Sequence, residues 1–274
     1  MRNLTALLDG EDASVSLDLA ALELATLEYP GLDPRPFLDI LDSHAAELSP
    51  MLNTGFEGAQ FVAAMNDYLF NDLGFEGNEA DYQDPRSSCL NEVLARRVGI
   101  PITLSLVYME IARRLGRPVY GIGLPGHFIV QYDDGEFSTY IDPFQRGRTL
   151  EEEECIALAS QASGLDVSGR PGLLDPVGGR YIAVRMLHNL RGVYLRQRAY
   201  PKLCGVLSLL ITATPESANE YVQRGVVNLE LKRFAEARKD LETYLRLAPQ
   251  CRDRVAVEKQ IRAIDNWLTR HARR

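Results

Sequence analysis

The chain has few of the residues that build metal centres or disulfide scaffolds. Its four cysteines, Cys89, Cys155, Cys204 and Cys251, lie far apart with no Cys-x-x-Cys pair among its 274 residues. Neither a zinc ribbon nor a disulfide framework follows from that spacing, so any cysteine that matters acts alone. Four histidines with no His-x-x-x-His spacing give no metal motif either. No metal and no cofactor is expected. Long apolar runs are missing too: nothing approaches the ~20 residues of a membrane span. The N-terminus meets Asp9, Glu11 and Asp12 too early for a secretory signal, so the expected location is cytoplasmic. Basic clusters interleaved with aromatics are likewise lacking, and the net charge is −8. Nucleic acid and membrane are therefore not expected as partners.

What remains is a globular composition, 46% hydrophobic and 25% charged, sufficient for two modest domains. Residues 14 to 28 read as a helix capped by Ser14 or Ser16, with Leu17, Ala20, Ala21, Leu24 and Leu27 on one stripe. Further helices are expected over Pro36–Glu47 and Phe61–Leu69, and a loop over Gly77–Pro85. Ser87-Ser88-Cys89 then opens a short helix. Cys89 would fall in its first turn, where unpaired N–H groups favour a thiolate; it also suits the role of a small buried hydrophobe. Pro101 begins a helix whose Leu104, Val107, Tyr108, Ile111 and Leu115 predict a buried central element.

Val119–Ile122 reads as a strand, and Asp134-Gly135 as the two-residue turn of a hairpin, because both turn positions need positive φ. That turn sets a register in which Phe128 faces Ile141, Val130 faces Thr139, Tyr132 faces Phe137 and His127 faces Asp142. Opposed residues have Cβ atoms roughly 4.5–5.5 Å apart, so the Asp142 carboxylate would orient the His127 imidazole as in a nucleophile-His-Asp triad. Four glutamates from Glu151 to Glu154 then start a helix in the manner of a solvated cap.

The C-terminal third carries a repeat. Pro215 and Pro249 enclose Tyr221, Gly225, Leu229, Phe234, Ala237 and Tyr244 at the 34-residue period of a tetratricopeptide helix pair. Residues 182–215 form a weaker copy, and a helix over Val255–Thr269 caps the array. The expected organisation is a helical N-terminal region plus core over residues 1–165, with the core at about 81–150, a linker at 166–180, and repeats over 181–274.

Several of these segments together resemble the bacterial SirB-type family: Asp81-Tyr-Gln-Asp-Pro-Arg, Leu90-Asn-Glu-Val-Leu, Gly99-Ile-Pro-Ile-Thr-Leu-Ser-Leu-Val-Tyr, Pro125-Gly-His-Phe and Ile141-Asp-Pro-Phe. The resemblance implies an α+β, mostly helical fold: a papain/transglutaminase-like core with a small antiparallel sheet, then an all-α repeat module. It also implies a Cys-His-Asp triad in which His127 and Asp142 hold the His and Asp positions. The nucleophile's place, counted back from Gly116, falls near Pro101 to Thr103. No cysteine stands there; Thr103 and Ser105 are the nearest hydroxyls, and Cys89 lies one helix earlier. Two functions follow. One is a binding or regulatory protein that docks a helix or extended peptide in the repeat groove. The other is a cysteine-dependent amidase, protease or acyltransferase using Cys89, His127 and Asp142.

Overall fold

A computed structural model describes residues 1–10, 16–52, 57–79 and 83–271. The chain divides into two compact units, Met1–Met186 and Leu187–Arg274.

The first unit is built on a helix that is buried nearly all round. This helix, α6 (Pro101–Arg114), has Ile102, Leu104, Leu106, Val107, Tyr108 and Ile111 all excluded from solvent. Among the described residues five α-helices precede it: α1 (Arg2–Asp9), α2 (Leu17–Ala25), α3 (Arg35–Leu52), α4 (Ala59–Asn66) and α5 (Leu90–Arg96). α1 is unannounced by the sequence pattern, yet buries Leu4, Leu7 and Leu8. α2 is shorter than expected, and Ser14 lies outside the described residues. Ser16 takes the N-cap position, but its hydroxyl turns to the Asp18 carboxylate instead of the helix backbone. α3 runs past the expected stop at Glu47 and through Pro50. α4 gives way to a single π-helical turn over Asp67–Asp72, so the helix expected over Phe61–Leu69 changes winding midway. The motif residues Asp81 and Tyr82 lie outside the described residues.

Five antiparallel strands form the sheet of this unit: β3 (Val119–Ile122), β4 (Ile129–Asp133), β5 (Ser138–Asp142), β6 (Arg148–Leu150) and β7 (Pro176–Val177), in the order β6-β5-β4-β3-β7. A separate two-stranded parallel pair joins β1 (Glu76–Gly77) to β2 (Val98–Gly99). Strand alternation places Ile122, Ile129 and Leu150 on one face, where they pack with Cys155 and Ala159 of α7 (Glu152–Ser163). Val130, Tyr132 and Ile141 occupy the other face, toward α6.

The hairpin differs from the expected register. Val130 pairs with Ile141 and Tyr132 with Thr139, so the strands are slid by two residues and the loop has four, Asp134 to Phe137. The Asp134 carboxylate explains the longer loop, because it accepts the N–H groups of Glu136 at 3.0 Å and Phe137 at 2.8 Å and stabilises a wider turn. A two-residue slide preserves which face each side chain occupies, whereas a one-residue slide would have reversed it.

The stretch 166–180, expected as a linker, carries Val167 and Leu173 into the core beside α7 and supplies β7 to the sheet. The division between units falls later, inside α8 (Gly179–Arg196).

In the second unit α9 (Tyr200–Ala213), α10 (Ala218–Glu230), α11 (Phe234–Leu247) and α12 (Arg254–His271) follow α8. Successive helices from α9 onward pack as neighbours. The 34-residue period is visible in the backbone. Arg198 and Lys232 both take left-handed φ, at 54° and 58°, in equivalent turns. The next residue of each turn reaches back alike: the N–H of Ala199 bonds the carbonyl of Tyr194 at 2.9 Å, and that of Arg233 the carbonyl of Asn228 at 2.8 Å. Ala237, Leu241, Val257 and Ile264 form the core between the last helices.

A buried ionic cluster ties α2, α3 and α6 together. Arg114 reaches Asp18 at 2.6 Å, Asp42 at 2.6 Å and Glu110 at 2.9 Å, and Asp18 and Glu110 are 1% and 3% exposed. Removing this cation leaves the two buried carboxylates to the more exposed Arg113, which reaches Asp18 at 3.4 Å and Glu110 at 2.8 Å. Arg114→Ala is therefore expected to cost about 3–5 kcal/mol in denaturant unfolding; a loss under ~1 kcal/mol would show that the carboxylates are solvated without it.

Candidate functional site

The site begins at the end of β5, where Asp142 stops the strand and caps the 3-10 turn Pro143–Gln145. One carboxylate oxygen accepts the N–H groups of Phe144 at 3.0 Å and Gln145 at 3.3 Å. The other lies 2.9 Å from Nε2 of His127. Asp142 is fully buried and His127 is 8% exposed. An ionised carboxylate only accepts, so Nε2 carries the shared proton and Nδ1 is left as an acceptor in the uncharged ring. Among the described residues Nδ1 has no hydrogen-bond partner.

Gly126 makes this placement feasible. Its φ is +74°, and a Cβ there would sit 2.7 Å from the carbonyl oxygen of Ala162 on α7. The chain thus turns tightly against α7 just before His127, whose ring meets Phe144 edge-on at 5.9 Å. Phe144 in turn lies over Gly77, where a Cβ would come within 2.7 Å of its ring. The sequence placed His127 and Asp142 on one face; it did not foresee that the contact is diagonal across the ladder instead of directly opposed.

These groups open into a cleft of about 1000 Å³. Besides His127 and Phe144 its walls carry Glu76 of β1 with Asn78 and Glu79 just beyond it, Gln145 at the end of the 3-10 turn with Arg146 after it, and Leu158 and Gln161 of α7. Sequence reasoning missed most of these because they come together only through β1, β2 and α7, which are far apart in the chain. Arg146 has left-handed φ of 54°, and its Nη2 is spent on the carbonyl of Phe70 at 2.5 Å and on Asn71 at 3.3 Å. The π-helical turn presents that carbonyl. A π turn at a functional site is a recurring association, and no residue pattern here announces it.

The expected nucleophiles lie elsewhere. Cys89 is the N-cap of α5, with extended backbone, and not a member of its first turn; it is fully buried. Thr103 is also fully buried. Its hydroxyl donates to the carbonyl of Ser87 at 2.8 Å and accepts the N–H of Ile100 at 3.0 Å, which makes it a structural clamp on the start of α6. Ser105 contacts the carbonyl of Phe128 at 3.4 Å. None of these three lines the cleft among the described residues, and no other cysteine, serine or threonine does. Cys155 is the thiol of α7; burial, helped by Glu154 and Asp142, pushes it up to about 12, so it stays protonated near neutrality. No cluster of three or more His, Cys, Asp or Glu able to hold a metal occurs among the described residues.

The architecture defines a transglutaminase-like core followed by tetratricopeptide-type helices. In agreement, the transglutaminase-like superfamily matches residues 36–188 and the tetratricopeptide repeat matches residues 190–262. A UPF0162 protein of Xylella fastidiosa (strain 9a5c) is 35% identical over 242 residues, 87% of this chain and 86% of that protein. A UPF0162 protein of Vibrio cholerae is 27% identical, covering 78% of this chain and 80% of that protein. The human F-box only protein 21 is 33% identical over 169 residues, 58% of this chain and 26% of that larger protein. The chain belongs to the transglutaminase-like superfamily and, within it, to the family of UPF0162 proteins.

Gly126→Ala combines positive φ with a clash against backbone, and both must be relieved by moving His127 or α7. It is expected to lower stability by about 1–3 kcal/mol by thermal or denaturant unfolding; an unchanged midpoint would mean that the turn before His127 is loose.

Proposed function

We propose that this protein is a protein-binding or regulatory module whose core keeps the transglutaminase-like frame without the standard transglutaminase chemistry. The observation that carries the reading is the cleft itself: His127, oriented by the Asp142 carboxylate behind it, lines it, but among the described residues no thiol or hydroxyl to be activated does. Covalent acyl transfer needs the nucleophile within hydrogen-bond reach of the base. Thr103 is already committed to backbone partners, and Cys89 is sealed in the core.

The second unit supports the binding half of the reading, since tetratricopeptide repeats generally mediate protein–protein contacts. A groove of about 400 Å³ runs between α8, α9 and α10, lined by Leu195, Tyr200, Leu203, Leu207, Val222 and Val226. Leu195 and Val226 are 55% and 45% exposed, the kind of apolar surface that partner segments cover. The partner in this reading is a protein or peptide. A cytoplasmic setting is part of this proposal; no helix among the described residues is long and apolar enough to cross a membrane. The finer placement in the SirB-type family rests on the motifs alone.

A second reading, cysteine-dependent hydrolysis or acyl transfer through Cys89, His127 and Asp142, is favoured by the intact His-Asp contact. It requires Cys89 to leave its buried N-cap position. Iodoacetamide labelling of the folded protein, read by mass spectrometry with Cys155, Cys204 and Cys251 replaced by serine, separates the two. Binding without chemistry expects Cys89 to be unlabelled until the protein unfolds. Rapid native labelling that falls in His127→Ala would establish an activated thiol and overturn the proposal.

A further inference from the structure

The cleft in the first unit sets two carboxylates against one cation, with the amides of Gln145 and Gln161 able to donate or accept. Glu76 and Glu79 are exposed carboxylates on one wall. His127, more than nine-tenths buried, contributes Nδ1, which is an acceptor in the uncharged ring because the Asp142 carboxylate accepts the hydrogen bond from Nε2–H. Arg146 is the one cation among the lining residues, and its Nη2 is drawn to Phe70 and Asn71 of the π-helical turn. Asn78 likewise directs its Nδ2 to Ser87 at 2.8 Å. Between these polar groups lie Phe144, Val98 and Leu158, which suit an alkyl stem or a planar group.

A ligand that satisfies such walls must donate hydrogen bonds, carry positive charge and have an apolar stem. A guanidinium group meets all three requirements, with five donors in a fixed plane that engage carboxylates and lie against aromatic faces. The chain as a whole, at net charge −8, also attracts basic segments.

We propose that the cleft is a non-covalent recognition site for an arginine side chain in a basic segment of a partner protein, held by Glu76, Glu79 and Nδ1 of His127. This rests on the reading of the core as a binding module. It adds a second recognition surface with a chemistry distinct from the apolar groove of the repeats.

The test uses the full chain and a fluorescein-labelled peptide of three arginines spaced by glycines, with a citrulline peptide of the same length as the uncharged counterpart. Fluorescence anisotropy is expected to show the arginine peptide bound at least tenfold more tightly than the citrulline one. Glu76→Gln/Glu79→Gln, two exposed positions whose change leaves the fold intact, is expected to remove at least tenfold of that affinity. Glu152→Gln/Glu153→Gln, which removes the same charge from the start of α7, is expected to change it less than twofold. Equal losses in both double variants would show attraction to the general acidic surface and overturn the proposal. Failure of the wild type to prefer arginine over citrulline would overturn it as well. The peptide's mass is read after incubation. Cleft-dependent binding with a changed mass would support the arginine site while refuting the reading without chemistry, so the two failures are distinguishable.

Discussion

The contact on which the cleft depends is the one between His127 and the buried carboxylate of Asp142. That carboxylate does three things at once. It ends β5, satisfies the N–H groups of the turn that carries Phe144 and Gln145, and fixes the imidazole at 2.9 Å. A fully buried charge is tolerated only where hydrogen bonds replace water, and here three donors do so. The wall residues Phe144, Gln145 and Arg146 follow directly in the chain, so the same carboxylate sets where that side of the cleft stands. Gly126 and Gly77 supply the close approaches that no side chain would permit.

Against this preserved frame, the hydroxyls and thiols of the core have structural work. Thr103 locks the first turn of α6 to the 3-10 turn Pro85–Ser88, Ser105 contacts the strand backbone, Cys89 occupies a helix N-cap, and Cys155 packs beneath the sheet. A His-Asp pair beside a cleft that no thiol or hydroxyl lines among the described residues has a physical rationale under the binding reading: the pair presents an oriented acceptor.

Much of the fold was legible in the residues. The 34-residue period, the buried stripe of α6, the proline at its start and the strand Val119–Ile122 all follow from spacing and propensity, and the structure has them. The hairpin shows how a local rule can miss and still serve. Asp134-Gly135 suggested a two-residue loop, but the N–H groups of Glu136 and Phe137 donating to the Asp134 carboxylate favoured four, and the slide by two residues left His127 and Asp142 on one face. The π-helical turn and the extent of α3 were not legible, because winding within a continuous apolar pattern is decided by tertiary contacts such as Arg146 to Phe70. The cleft wall built by β1, β2 and α7 was hidden for the same reason: Glu76, Glu79 and Gln161 become neighbours of His127 only in the folded chain. The segment 166–180 looked like a linker from its glycines and prolines, yet Val167 and Leu173 tie it to the core.

The claim that the cleft holds an oriented imidazole without a nucleophile is tested most directly at the imidazole itself. Long-range nitrogen–proton NMR correlation on the protein, recorded at about pH 8.5 where an ordinary histidine is uncharged, reports which nitrogen of His127 bears the proton. The account requires the proton on Nε2, and a signal from Nδ1 that does not change when iodoacetamide is added to the folded protein. A proton on Nδ1 would remove the oriented acceptor, and an Nδ1 signal that shifts as Cys89 is alkylated would place a thiol against the ring; either result contradicts the account.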